Sequence, residues 1–360
     1  MLPIDLPLTP MLAKTAATIP PGQAYEPKWD GWRALLARDG EHVKVWSRHG
    51  TDLTVYFPEL VIAAEFLPER CVLDGEIVII AGDKLEYTRL ATRHATAAKA
   101  PQLAVQFPAS FICFDVLCID DTSLLDHPWH QRRDLLETIL DEAPPMLLLS
   151  PVTMDLALAQ DWFERLEGAG LDGVVAKNPD GRYLPGQRAL TKIKHRRTAD
   201  MVVGGFRLDR TSTPERPQLG SLLLGLFDDA GVLQFVGITA GFPGAMRGEL
   251  AQMFATLELP RRTPEFDAHP WAPATAGPLG ARVPDHVTRW TQPRDEVHLT
   301  FPLLVAEVQY DYLHDGVRFR SNADFQRWRP DRTPESCRFD QLEHPIEWSL
   351  ADVLASGDDG

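Results

Sequence analysis

Lysine is missing from the entire second part of this chain. All 15 basic residues between 198 and 360 are arginine. Arginine holds phosphate through a planar fork, so the bias leaves anion recognition open there; an arginine-rich genome gives the same bias and the feature decides nothing alone. Cysteine is scarce. Cys71, Cys113, Cys118 and Cys337 form no C-x-x-C pair and have no histidine at zinc spacing, which excludes a structural zinc site or a disulfide framework. Settings such as Phe111-Ile112-Cys113-Phe114 mark them as reduced core thiols. No apolar run approaches the roughly 20 residues of a membrane-spanning helix; Ile77–Ala81 is among the longest. The start, Met1-Leu2-Pro3-Ile4-Asp5, has neither the basic nor the apolar region of a secretory signal, so the expected location is the cytoplasm. Positive charge is short as well, with a formal net charge of -15 over 360 residues. That total argues against a nucleic-acid partner, but local clusters such as Lys192-Ile193-Lys194-His195-Arg196-Arg197 weigh more.

The length suits two domains, each able to bury its own core. In the first half, Ala34–Arg38 and His42–Ser47 alternate like a hairpin around Asp39-Gly40. Val72–Leu73 and Glu76–Ile80 read as buried strands broken at Asp74-Gly75, and Ser110–Cys118 as another strand. Gln131–Asp141 and Met154–Gly168 carry apolar residues at helical spacing; Leu171–Lys177 and Leu190–Lys194 return to strand character. The pattern is α+β with mainly antiparallel strands. Past residue 197 come short strands, Met201–Leu208, Ser221–Phe227 and Leu233–Ile238, and one helix, Ala245–Leu257. A proline-rich segment from Leu259 to Pro293 reads as a long loop, followed by strands at Leu303–Tyr310 and Gly316–Arg320. Short strands plus one helix fit a small oligonucleotide-binding barrel, with the boundary near Ala199.

The most informative stretch is Lys28-Trp29-Asp30-Gly31-Trp32-Arg33, preceded by Glu26-Pro27. A lysine with its ordinary pKa of about 10.4 holds almost no free amine at neutral pH. To attack a phosphate it needs fixed neighbours, a backbone that lets the ligand approach, and a cation for phosphate or sugar. The plain alternative is a solvated Lys-Asp-Arg patch beside a glycine turn. Further along, Ser47-Arg48-His49-Gly50 offers an arginine at a turn. Leu73-Asp74-Gly75-Glu76 leads into a strand that would hold Glu76 rigidly. Phe114-Asp115 lies in an apolar strand, where Phe114 alone reads more readily as core than as a platform for a ligand. In Leu171–Lys177, Asp172 and Lys177 are an odd number of residues apart, so a regular strand puts them on opposite faces. Lys192 and Lys194 share a face by the period of two.

Taken in order, these segments resemble the covalent nucleotidyltransferases, the superfamily of ATP-dependent polynucleotide ligases and mRNA capping enzymes. A C-terminal match, Arg327-Trp328-Arg329-Pro330-Asp331-Arg332, resembles the R-x-D-K element of ligases. Pro10-Met11-Leu12-Ala13, Phe57-Pro58-Glu59-Leu60, Leu222-Leu223-Leu224-Gly225 and Ala306-Glu307-Val308 are similar to the stand-alone bacterial ligases of the C type and the ligase module of the D type. Two positions depart from the pattern: Asp172 stands where the family has Glu, and Arg332 where it has Lys.

The resemblance implies an α+β fold, with a nucleotidyltransferase domain of mainly antiparallel, ATP-grasp-like sheets at 1–198 and an OB-fold β-barrel at 199–360. It implies an ATP-dependent DNA ligase that seals 5′-phosphate/3′-hydroxyl nicks in DNA repair, through AMP carried on Lys28 and then on the DNA. Lys192 and Lys194 assist at the α-phosphate. Glu26 reads adenine, Phe114 stacks on it, Glu76 bonds the ribose, and Arg33 and Arg48 hold sugar or nick phosphate. Lys177 also contacts the nucleotide, and Arg329 with Arg332 orients pyrophosphate. Asp172 and Glu76 are the expected carboxylates for Mg2+ or Mn2+. The expected partners are ATP, nicked double-stranded DNA and DNA-repair proteins, with the enzyme a monomer and no membrane involved. An RNA ligase using the same lysyl-AMP chemistry is the alternative.

Overall fold

The computed structural model describes residues 1–357 apart from 94–96, 172, 196, 285–295, 312, 315–316, 320 and 343–347. By its contacts the chain separates into two units: Met1–His195 with Pro345–Gly360, and Arg196–His344.

The main strands of the first unit are β1 (Leu12–Ala16), β2 (Ala24–Pro27), β3 (Trp32–Asp39), β4 (His42–Ser47), β5 (Arg70–Ala81), β6 (Ala109–Ile119), β7 (Gly173–Lys177) and β8 (Arg188–Lys194). They form two sheets, one ordered β1-β8-β7-β2, the other built on β4-β3-β5-β6. Only β1 and β8 pair in parallel among these; the rest are antiparallel. The period-two alternation in β3 sorts its side chains. Ala34 and Leu36 join one core with Leu73 and Phe111, whereas Leu35 and Ala37 join another with Val72, Leu117 and Leu190 of β8. The second core therefore lies between the sheets. Helix α1 (Trp129–Leu140) packs on β6 through Leu136. Helix α2 (Leu156–Arg165) opens at Asp155, whose carboxylate accepts the Ala157 N–H at 2.8 Å, and buries Ala159 and Trp162 against β7.

The second unit is a closed barrel of β9 (Arg197–Leu208), β10 (Leu219–Phe227), β11 (Leu233–Ala240), β12 (His298–Tyr310) and β13 (Ala323–Trp328), in the order β9-β10-β11-β13-β12. Helix α3 (Gly244–Leu257) buries Leu250, Ala251 and Phe254 in its core.

The structure differs from the sequence reading at four places. Strand β5 runs unbroken through Asp74-Gly75, because a Cβ on Gly75 would meet the Phe111 ring at 2.6 Å; the glycine lets the strands approach and does not end them. The segment after Leu259 is not structureless: it holds short helices at Pro264–Asp267 and Pro273–Leu279 and buries Trp271, its Nε1–H donating to the Leu233 carbonyl at 2.8 Å. Part of that segment lies outside the described residues. The Arg327–Arg332 motif begins in strand β13, which pairs with both β11 and β12 and closes the barrel. Finally, the last residues, assigned from sequence to the second domain, pack with the first unit. Helix α4 (Leu350–Leu354) puts Leu350 and Val353, with Trp348, into the apolar cluster of Trp162, Leu166 and Leu171.

Candidate active site

Lys28 follows β2 directly, and its N–H donates to the Gly173 carbonyl at 2.8 Å, extending the ladder by one residue. Gly173 is also the register partner of Lys194 on β8. One step back, Glu26 pairs with Val175, and Val175 with Lys192. Residues opposite one another share a face. Glu26, Lys28, Lys177, Lys192 and Lys194 therefore stand on one side of this sheet. It is the side of Val175 and Leu190, which meet the other sheet in the shared core. Trp29, alternating away, is buried and donates its indole N–H to Ser150 Oγ at 2.8 Å, which anchors the strand end that carries Lys28.

The facing sheet answers with Arg33, Glu76 and Phe114. Arg33 and Glu76 are register partners on β3 and β5. Gly31 brings the Lys28 segment onto β5: its N–H donates to Glu76 Oε1 at 3.1 Å, and a Cβ there would lie 2.1 Å from the Ile77 carbonyl oxygen. No residue with a side chain fits at that distance, which explains the glycine of K-x-D-G-x-R. Arg33 binds buried Asp74 through two hydrogen bonds, Nε to Oδ1 at 3.0 Å and Nη2 to Oδ2 at 2.6 Å. Its guanidinium carbon lies 5.0 Å from the centre of the Phe114 ring. Lys177 approaches the same ring at 4.8 Å, donates to the Phe114 carbonyl at 3.0 Å and pairs with Glu26 Oε1 at 2.7 Å.

The electrostatics tie the two faces together. Burial pushes the Glu76 carboxyl up to about 7, against the opposing pull of Lys28, Arg33 and the Gly31 N–H. Lys192 lies below the ordinary lysine range, first through burial and then through the positive charges of Lys194, Lys28, Arg48 and Arg188. Arg48, exposed at the turn after β4, thus belongs to the same cationic cluster, its N–H donating to the Arg33 carbonyl at 3.1 Å. Burial raises Glu26 as well, opposed by Lys177 and Arg133. The arrangement can hold a polyanion against Lys28, Lys192, Lys194 and Arg48, with an aromatic ring and two carboxylates at its other end.

The family models match here. Residues 10–194 match the ATP dependent DNA ligase domain, and residues 215–332 match the ATP dependent DNA ligase C terminal region. The chain belongs to the ATP-dependent DNA ligases. It is 47% identical to DNA ligase C2 of Mycolicibacterium smegmatis, over 96% of this chain and 96% of that protein. It is 43% identical to DNA ligase C of Mycobacterium tuberculosis, over 98% of each. A solved structure of a Lig E DNA ligase superposes with a TM-score of 0.55 at 15% identity, covering 89% of this chain and 99% of that one, which supports the same fold. The ligase thus has a nucleotidyltransferase-type fold of mixed α+β content.

Of the residues expected from sequence, the first unit of the ligase brings together Glu26, Lys28, Arg33, Arg48, Glu76, Phe114, Lys177, Lys192 and Lys194. Asp172 lies outside the described residues. Arg329 and Arg332 belong to the second unit, where both are held by carboxylates. Arg329 bonds Asp200 at 2.9 Å, Glu307 at 3.2 Å and Asp331 at 2.8 Å, and Arg332 lies 3.3 Å from Asp200. The bond from Arg329 holds the Asp331 carboxyl down at about 2. Sequence reasoning grouped Asp331 with Arg329 and Arg332 but missed the pairing with Asp200 and Glu307, and also Arg132 and Tyr183 in the first unit. The only signal for Arg132 was an acid, Asp115, in an apolar strand, which requires a buried cation. No helix among the described residues is long and apolar enough to cross a membrane.

Among the described residues no group of three or more His, Cys, Asp or Glu could cage a metal ion. Magnesium brought in on a triphosphate needs no cage, since it takes one or two carboxylates and completes its shell with phosphate oxygens and water. A hard oxygen donor such as Glu76, set beside Lys28, fits that demand.

Proposed function

We propose that this ATP-dependent DNA ligase seals nicks through a lysyl-AMP on Lys28. The Lys28 amine attacks the α-phosphorus of ATP; a P–N bond forms, the bond to the bridging oxygen breaks, and pyrophosphate leaves. The 5′-phosphate at a nick then takes the AMP and frees the lysine. The 3′-hydroxyl attacks the activated 5′-phosphate, the phosphodiester forms and AMP departs. Dividing the condensation through a covalent intermediate replaces one high barrier with lower ones. Rejoining an interrupted backbone is the closing step of strand repair.

The observation that carries this reading is the convergence of Lys28 with Lys192, Lys194 and Arg48 opposite Glu76 and Phe114. The positive charge gathered there neutralises the α-phosphate as charge builds on it. Glu26 and Lys177 read the adenine edge, Phe114 stacks on it, and Glu76 accepts from the ribose. Arg33 and Arg48 hold sugar and nick phosphate. Glu76 and Asp172 would hold Mg2+ or Mn2+, which supplies neutralising charge on the phosphates. The barrel is an OB fold that binds DNA, the first unit is the adenylation domain, and Arg329 with Arg332 steadies the pyrophosphate during the first step. The enzyme works as a cytoplasmic monomer beside other repair proteins. DNA is preferred over RNA because the relatives that align over nearly the whole chain are named DNA ligases.

The test uses α-labelled ATP and magnesium, with label read on denatured protein. Wild type is expected to retain label that hydroxylamine or acid removes, and Lys28→Arg to retain none. Label on Lys28→Arg would sink the assignment, and sealing of nicked RNA but not nicked DNA would overturn the substrate.

A further inference from the structure

Beside the site, two buried carboxylates stand next to one another. Asp74 of β5 and Asp115 of β6 are cross-strand partners, 0% and 2% exposed. Like charges opposite one another across a ladder repel, so each needs a cation. Arg33 serves Asp74, as described above. Arg132 serves Asp115 in the same manner, Nε to Oδ1 at 2.7 Å and Nη2 to Oδ2 at 2.9 Å.

One side chain touches both pairs. Tyr183 comes from the segment between β7 and β8 and is 2% exposed. Its hydroxyl donates to Asp74 Oδ2 at 2.6 Å and accepts the Met11 N–H at 3.1 Å. Its ring centre lies 5.7 Å from the Arg132 guanidinium carbon. Its own N–H donates to the Leu125 carbonyl at 2.8 Å, so the segment that carries it is anchored. Burial and the negative charge of Asp74 hold the phenol well above its usual pKa, which keeps the proton on oxygen and the hydroxyl a donor.

We propose that Tyr183 is a positioning residue for the nucleotide: by locking Asp74 it fixes the Arg33 guanidinium against Phe114 and beside Glu76, and so shapes the ribose end of the ATP site. The proposal rests on the reading of Arg33, Glu76 and Phe114 as nucleotide contacts. Asp74 Oδ2 receives both Arg33 Nη2 and the Tyr183 hydroxyl. With both donors in place the carboxylate cannot rotate, and the fork of Arg33 keeps one plane. Removing the hydroxyl leaves the ring, the packing and both charges in place; it releases that rotation and also takes the acceptor from the Met11 N–H. Nothing in the chemistry calls for Tyr183 to touch ATP.

Self-adenylation kinetics of the full-length chain with ATP, 2′-deoxy-ATP and 3′-deoxy-ATP test this. Tyr183→Phe is expected to raise KM for ATP about tenfold, with kcat within about twofold, and to reduce the preference for ATP over the deoxy analogues by a similar factor. In an Arg33→Lys background the same substitution should add less than about twofold, because both act through one contact. Parallel losses of kcat with all three nucleotides, an unchanged KM, or additive effects with Arg33→Lys overturn the proposal. A wild type that does not discriminate among the three overturns the nucleotide reading itself, and the proposal with it. A discriminating wild type with an equally discriminating Tyr183→Phe variant overturns the proposal alone.

Discussion

The Glu76 carboxyl sits where burial opposes its charge and Lys28 with Arg33 favours it, and burial wins, placing it at about 7 against an ordinary 4.5. A raised value in the fold means that folding prefers the protonated acid. That contribution is complete below about pH 4.5 and is lost as pH rises through about 7. Glu76→Gln keeps an acceptor for the Gly31 N–H and has no charge to lose. The variant should therefore gain on wild type across this window, by up to about 3 kcal/mol at pH 8 and by little at pH 4.5. Urea unfolding of both proteins at the two pH values measures it; a constant difference would show that the carboxyl ionises as readily in the fold as in the unfolded chain. Lys28, Glu76 and the Lys192–Lys194 pair were legible in the sequence because each is part of a short local pattern. Asp200, Glu307, Arg132 and Tyr183 were not, because what defines them is a partner far along the chain: 109 residues separate Tyr183 from Asp74. Local spacing carries no trace of such a bond.

Strands β2, β3 and β5 are joined at Gly31, whose missing side chain admits the Ile77 carbonyl. Gly31→Ala would force that carbonyl and the Lys28 segment apart and disturb the hydrogen bond to Glu76. The expected result is a loss of about 1–3 kcal/mol in stability, the range of overpacked sites, together with loss of lysine labelling. Thermal unfolding and the label assay read the two effects, and an alanine variant with wild-type labelling would contradict the close approach. Periodicity gave the hairpin of β3 and β4 and helices α1 and α2, since apolar residues alternate or recur there without interruption. It gave β5 as two pieces, because glycine in a strand signals a break as readily as a close neighbour. Helices at Tyr87–Arg93 and Ala100–Gln106 passed unseen. Alanine, threonine and glutamine in these segments leave little apolar stripe to read.

The sequence changes texture after residue 197, and by its contacts the chain separates into Met1–His195 with Pro345–Gly360, and Arg196–His344. Trp348, Leu350 and Val353 look like an ordinary polar-flanked tail in sequence. In the fold, Val353 is 0% exposed among Trp162, Leu166 and Leu171 of the first unit, Trp348 stacks under Arg165 at 4.6 Å, and the Leu350 N–H donates to the Asp83 carbonyl at 2.9 Å. Val353→Asp buries an unpaired charge in that cluster and should cost about 3 kcal/mol or more. Calorimetry is expected to show the transition of the first unit lowered and that of the barrel unmoved; equal lowering of both would mean that the two unfold as one.

The same tail bears on how the protein is born. A ribosome releases the chain from its N-terminus, and domains ordinarily mature in that order. Here the cluster of Trp162, Leu166 and Leu171 gains its neighbours Trp348, Leu350 and Val353 only after the residues of the barrel have been made.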